Sequence, residues 1–139
     1  MTTMKKIAVC EVAISLTAAL VVSALLPVSG DAATAGFGIL GLLGVVPVLL
    51  MKHAGMRVIA DERDREIEQR SLKIGMETAW MMLFLSMITI VLWFNLNRQS
   101  EVPVRLLNWL IWIQFTICYA VKGSAALMIY RRQEHAAKI

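Results

Sequence analysis

Asp61-Glu62-Arg63-Asp64-Arg65-Glu66-Ile67-Glu68-Gln69-Arg70 is the densely charged decapeptide of this chain, and two long apolar runs lie on each side of it. Of the 139 residues 58% are hydrophobic and only 17% charged. A soluble chain this short has too much surface for its volume to hide that much apolar area. A bilayer removes the difficulty by acting as the apolar solvent. The decapeptide is then the water-bathed link between two pairs of membrane segments.

The central segment, 52–75, alternates six Lys and Arg with five Asp and Glu, which is close to neutral and unlike a polybasic lipid-binding patch. Asp61/Arg65 and Glu66/Arg70 are spaced i,i+4 with the acid N-terminal to the base, the better orientation for a helix. Ala60, Ile67 and Ile74 recur every seven residues and give one narrow apolar stripe. The segment reads as a cytoplasmic helix that runs on into the third apolar run. Its five carboxylates resemble a cation site only until the interleaved arginines are counted; a salt-bridged, solvated face is the simpler account.

Working outward, the first run, Ile7 to Leu26, follows Lys5-Lys6 and is expected to stop at Pro27. About 20 apolar residues cross a hydrocarbon core of about 30 Å. A signal peptide would carry a shorter apolar stretch and a small-residue cleavage site, and Cys10 precedes the bulk of the run where a lipoprotein cysteine would end it. The segment is therefore read as a mature membrane helix. The second run, about 35–51, contains Gly36, Gly38, Gly41 and Gly44. These match G-x-G-x-x-G as a bare pattern, but without the strand, soluble helix and acidic residue that a dinucleotide site needs. Glycines in a membrane helix let a neighbouring backbone approach, so Gly38, Gly41 and Gly44 predict that helix two is the closely packed one, with a kink at Pro47. The third run, about 76–96, has Trp80 and Trp93 near its borders, where tryptophan favours the interfaces. The fourth, about 106–130, begins with Trp109 and Trp112 and ends at Arg131-Arg132. The expected fold is an all-α membrane protein, one domain of four transmembrane helices with a charged cytoplasmic helical segment between helices two and three.

Lys and Arg set the orientation. Lys5, Lys6, Lys52, Arg57, Arg63, Arg65, Arg70, Lys73, Arg131, Arg132 and Lys138 fall on one side, Arg98 and Arg105 on the other. Eleven against two places both termini and the charged segment in the cytoplasm, with the chain multi-pass in a cytoplasmic (inner) membrane. The net charge of +4 thus reflects topology, and no nucleic-acid partner is expected.

Ionisable groups at membrane depth are costly and face a partner or a cavity. Glu11 lies five residues past Lys6, roughly 7 Å below the cytoplasmic border, and Lys122 nine residues before Arg131, roughly 13 Å below it. A lysine stem bends back towards its own interface, so the two are candidates for an intramembrane ion pair joining helices one and four, with Glu77 not far away. Two other readings stay open: each group snorkels alone to the interface, or Glu11 accepts a proton or cation in a transport path. His53 and His135 lack partners at metal-ligand spacing, and Cys10 and Cys118 read as small buried hydrophobes. The scattered Ser and Thr read as helix glue. No nucleophile, base and electrophile converge, and no catalytic residue, metal or cofactor is expected. Partners beyond the lipid bilayer would be a second copy or another cytoplasmic or membrane protein. The candidate cytoplasmic interaction motif is Asp61, Glu62, Arg63, Ile67 and Arg70.

Ala60-Asp61-Glu62-Arg63-Asp64-Arg65-Glu66-Ile67, followed by Arg70-Ser71 and a membrane run, is similar to a bacterial and archaeal family of small predicted membrane proteins (the DUF2178 group), whose members carry Asp-Glu-Arg, three residues and Ile between two pairs of membrane helices. The likeness covers about Ala60 to Arg132. That family often has a basic residue and alanine after the isoleucine, where this chain has Arg70-Ser71. It implies the four-helix layout and no activity, leaving a non-enzymatic accessory or interaction protein of the cytoplasmic membrane as the expected role. Cys10-Glu11-Val12 also resembles the Ala-Glu-Val of small multidrug-resistance transporters, which are four-helix chains with one glutamate in helix one. That resemblance implies a cation- or proton-coupled transporter using Glu11. The long charged connection and Lys122 depart from it.

Overall fold

The computed structural model describes residues 3–53, 61–99 and 101–136. Arg57, Ala60, Lys138 and the side chain of His53 lie outside the described residues, and with them part of the seven-residue stripe, of the basic tally and of the family motif. Every described element is helical: α1 (Thr3–Ser29), a 3-10 helix (Gly30–Gly41), α2 (Leu42–His53), α3 (Glu62–Leu96) and α4 (Val104–Ala136). Three helical stretches, Thr3–Lys52, Glu62–Leu96 and Val104–Ala136, are long and apolar enough to cross a membrane. Large side chains such as Leu20, Trp80, Phe84 and Leu92 stand more than half exposed along them, a surface suited to lipid and not to water.

α1 buries Met4, Ala8, Glu11, Ser15, Ala18 and Val22. Those steps of four and three are the spacing of a left-handed helix seam. Pro27, expected to stop the helix, sits inside it. A proline lacks one N–H and so removes a single i→i−4 bond, and α1 runs two residues past Pro27; the reversal comes instead at Gly30, whose φ of +54° is a left-handed conformation that glycine adopts without steric cost. The chain then runs back along α1. Asp31 sits beside Arg105 at one end of the bundle, and Leu50 packs against the core that holds Met4, Ile7 and Ala8 at the other. On the way Ala33, Phe37, Leu40 and Leu43 close a core with Ala18 and Val22. Phe37 stacks on Trp112 and meets Trp109 edge-on, at 5.9 and 6.1 Å.

α3 is one unbroken helix from the charged decapeptide through the third apolar run. Its buried row is Ile67, Ser71, Gly75 and Ala79, spaced four apart, the i±4 ridge that packs into a neighbour's groove. Ile74, expected on this stripe, is exposed. A seven-residue repeat drifts about 20° from a straight helix in one sense while the four-residue ridge turns the other way, and contact follows the small side chains. α3 ends on Asn97 with Gln99 N–H donating to Phe94 O and Arg98 N–H to Asn95 O, and Arg98 takes the left-handed position, φ 53°, that such a helix end requires.

The close approaches are not where the glycine run predicted. A Cβ at Gly38, Gly41 or Gly44 would meet nothing within 4 Å. One at Gly75 would lie 2.8 Å from Cys118 O, and one at Gly123 2.7 Å from Val12 Cγ2 and 2.9 Å from Ala8 O. α4 is therefore the central helix, pressed against α3 on one side and α1 on the other. Gln114 adds an interhelical bond by donating to the Ala79 carbonyl. We expect Gly123→Val to cost about 1–3 kcal/mol of stability by overpacking and Gly38→Ala to stay within about 0.5 kcal/mol. Unfolding in a denaturing detergent series checks both, and equal losses would refute the assigned packing.

Candidate functional site

Lys122 lies between the two glycine approaches. Gly75 faces Lys122 Cβ and Gly123 faces Glu11 Cβ, so the helix backbones draw together around its ammonium. Lys122 Nζ donates to Glu11 Oε1 at 2.7 Å, and Glu68 Oε1 of α3 stands 4.0 Å away. Burial grades across the three: 6% of the Glu11 side chain is exposed, 13% of Lys122 and 48% of Glu68. The Tyr119 ring lies 5.8 Å from the ammonium, within range of its quadrupole. A cavity of about 20 Å³ opens beside the cluster, lined in part by Glu11, Glu68, Ser71 and Lys122, which is room for about one water.

Pairing decides the energetics. Either charge alone among these apolar helices would be costly, and the pair persists because a hydrogen bond joins it. The structure thus brings Glu11 and Lys122 together. Glu77 is elsewhere, exposed and 3.8 Å from Lys73. The third member is Glu68, which sequence reasoning treated only as part of a solvated face. Its signal was available, because Glu68 neighbours the Ile67, Ser71, Gly75 row that turns α3 towards α4.

The motif residues divide. Ile67 is 2% exposed, in a core with Met4, Ile7, Ala8, Ala126 and Tyr130. Arg63 Nε donates to Gln133 Oε1 at 2.5 Å, and Tyr130 hydroxyl donates to Asp64 at 2.7 Å. Lys5 and Glu134 join α1 to α4 at the same end, 2.6 Å apart. Asp61, Glu62 and Arg70 are exposed. Among the described residues neither Asp61/Arg65 nor Glu66/Arg70 forms a salt bridge; at that spacing on α3 Lys73–Glu77 does. Exposed long side chains gain too little from pairing to be held in one geometry. Cys10 and Cys118 are free thiols, both half-buried, with Cys118 Sγ 3.8 Å from Met76 Sδ. His135 is exposed in the last turn of α4. Ser23, Ser86, Thr89 and Thr116 donate to carbonyls four residues back on their own helices.

At the opposite end, Asp31 accepts from Arg105 Nη1 at 3.1 Å and from Trp109 Nε1 at 3.2 Å, latching the polar connection after α1 to the start of α4. No family model, no curated protein and no solved structure matches the chain.

The Trp109 N–H, then the Arg105 guanidinium, hold the Asp31 carboxyl below its ordinary range. A carboxylate lowered in this way stabilises above its unfolded pKa and loses that contribution as pH falls through its folded one. The latch is expected to persist from neutral pH down to 3.8, the ordinary value, and to open only below it. Emission from Trp109, with the other tryptophans replaced by phenylalanine, should shift in that acid range and lose the step in Asp31→Asn. A step above 3.8 would contradict the assignment.

Proposed function

We propose that this protein is a four-pass protein of a bacterial cytoplasmic membrane, a non-enzymatic accessory protein that presents the outer face of α3 to a cytoplasmic or membrane partner. The length of the second run supports four crossings. Twelve 3-10 residues and twelve α residues rise about 24 Å and about 18 Å, more than the hydrocarbon thickness of about 30 Å. The Lys5–Glu134 and Arg63–Gln133 contacts hold α1, α3 and α4 at one end, as an even number of crossings with both termini cytoplasmic requires. The Asp-Glu-Arg-x-x-x-Ile likeness to the family of small predicted membrane proteins supports the same layout.

The observation that carries the role is the division of α3. Asp64 and Ile67 fix one side to the bundle, while Glu62, Arg65, Glu66, Gln69 and Arg70 stand exposed on the other. This is a rigidly held polar surface with charges of both signs, suited to recognising a protein through complementary charge. The alternative, a cation- or proton-coupled transporter using Glu11, draws on the cavity beside that residue, although a lysine already occupies the carboxylate.

Reversing the charges of Glu62, Arg65, Glu66 and Arg70 together should abolish co-purification of a specific protein in mild detergent while the bundle stays folded. A transporter would instead keep its companions and fail in Glu11→Gln. Retention of every companion after charge reversal would end the accessory reading.

A further inference from the structure

We propose that the second apolar run is an element of two lengths: residues 30–41 hold the 3-10 form in a thick bilayer and take the α form in a thinner one. A 3-10 helix rarely runs beyond three or four residues, because side chains at i and i+3 eclipse and its hydrogen bonds are poorly aligned. Here it runs for twelve, Gly30–Gly41. Two rows with a period of three explain how. Phe37, Leu40 and Leu43 are buried in one core with Ala18 and Val22, and residues three apart share a face when each turn takes three residues. Beside them Ala32, Ala35, Gly38, Gly41 and Gly44 also repeat every three residues, and all are exposed. The eclipsed positions on the open face therefore carry a methyl group or nothing. Gly38, Gly41 and Gly44, which meet no neighbour, thus remove the crowding that ordinarily limits this helix.

Length is what the conversion changes. From Asp31 to Lys52 the chain takes ten residue steps within the 3-10 helix and eleven beyond it, a rise of about 36 Å at about 2.0 and about 1.5 Å per residue. Wholly α-helical, the same steps rise about 31 Å, close to the hydrocarbon thickness of about 30 Å. The 3-10 form suits a bilayer about 5 Å thicker, and mismatch costs free energy with every ångström. A thinner bilayer therefore favours the α form and its better-aligned hydrogen bonds, a thicker one the 3-10 form and the core around Phe37. The two ends are fastened unequally. Asp31 is latched by Arg105 and Trp109, whereas Gly44 to Lys52 are all exposed or half-buried. Shortening accumulates toward Lys52, about 3 Å at Phe37 and about 5 Å at Leu50. The second shift is nearly one α-helical turn of about 5.4 Å, the step by which one helix re-seats along another, here α2 along α1. The inference rests on the reading that this run crosses the bilayer, and not on the accessory role.

The test is a distance. The full chain, with Cys10 and Cys118 replaced by alanine, carries nitroxide labels at Ala32→Cys and Val48→Cys, both exposed, and double electron–electron resonance reads their separation. In thick vesicles of dierucoyl phosphatidylcholine the pair should lie about 4–5 Å further apart than in thin vesicles of dimyristoleoyl phosphatidylcholine. A control pair on α1, Val9→Cys and Leu25→Cys, should keep its separation in both. The triple variant Gly38→Ala, Gly41→Ala, Gly44→Ala adds a methyl group at three eclipsed positions without touching a neighbour and favours the α form. It should show the shorter distance in both lipids. An unchanged wild-type distance between the two lipids would overturn the proposal, as would a triple variant that lengthens as the wild type does. In sealed vesicles an impermeant thiol reagent should reach Ala32→Cys and Lys52→Cys from opposite faces. Reaction of both from one face would remove the four-crossing reading and this proposal with it; opposite faces with an unchanged distance would remove this proposal alone.

Discussion

A single ammonium in an apolar bundle has to be neutralised where it stands, and most of this structure is arranged around that requirement. Lys122 reaches Glu11 because α1 and α4 touch backbone to side chain at Gly123, and it reaches towards Glu68 because α3 and α4 do the same at Gly75. In lipid the hydrophobic effect does not drive helices together, so close packing of small residues and polar bonds between helices must. Both devices coincide at one level of the bundle. Small or short side chains on each helix, Ala8, Ser71, Gly75 and Gly123, make the room, and the ion pair uses it.

The two ends of the molecule are fastened differently. At the end where α1 begins and α4 finishes, Lys5–Glu134, Arg63–Gln133 and Tyr130–Asp64 tie three helices together, and Ile67 is driven into the core beneath them. At the other, one carboxylate, Asp31, draws in a guanidinium and an indole, with Phe37 stacked against the tryptophans just inside. The first arrangement holds one side of the charged half of α3 against the bundle and leaves the other side exposed. The second fixes the reversal that lets a 3-10 helix and a short α-helix follow α1 back along its length.

Run length, charge asymmetry and residue depth made the helical architecture and the similar levels of Glu11 and Lys122 legible from the chain alone, because each depends on rise per residue and on the cost of charge in oil. Contact faces were not legible in the same way. Gly38, Gly41 and Gly44 looked like a packing stripe but face open space; the tightest approaches fall at Gly75 and Gly123, isolated glycines without a run to advertise them, and within the run Gly36 comes close, its Cβ position 3.0 Å from Val22 Cγ2. Which small residue meets a neighbour is set by helix crossing, a tertiary property. Pro27 did not stop the helix because a proline removes only one hydrogen bond; the break comes where Gly30 takes a positive φ. Glu68 was hidden by its company: amid five carboxylates, only the facing of Ile67 and Ser71 shows that Glu68, like Asp64, lies towards α4.

The central claim is that Glu11 and Lys122 act as one unit, and a double-mutant cycle in lipid tests it most directly. Lys122→Leu should destabilise by about 3–5 kcal/mol, since it strands the buried Glu11 carboxylate, and Glu11→Leu by less, since Glu68 stands 4.0 Å from the ammonium. The double substitution should cost well under their sum, leaving a coupling above about 1 kcal/mol. Strictly additive losses would mean that the two side chains are neighbours without being partners, and would contradict the account.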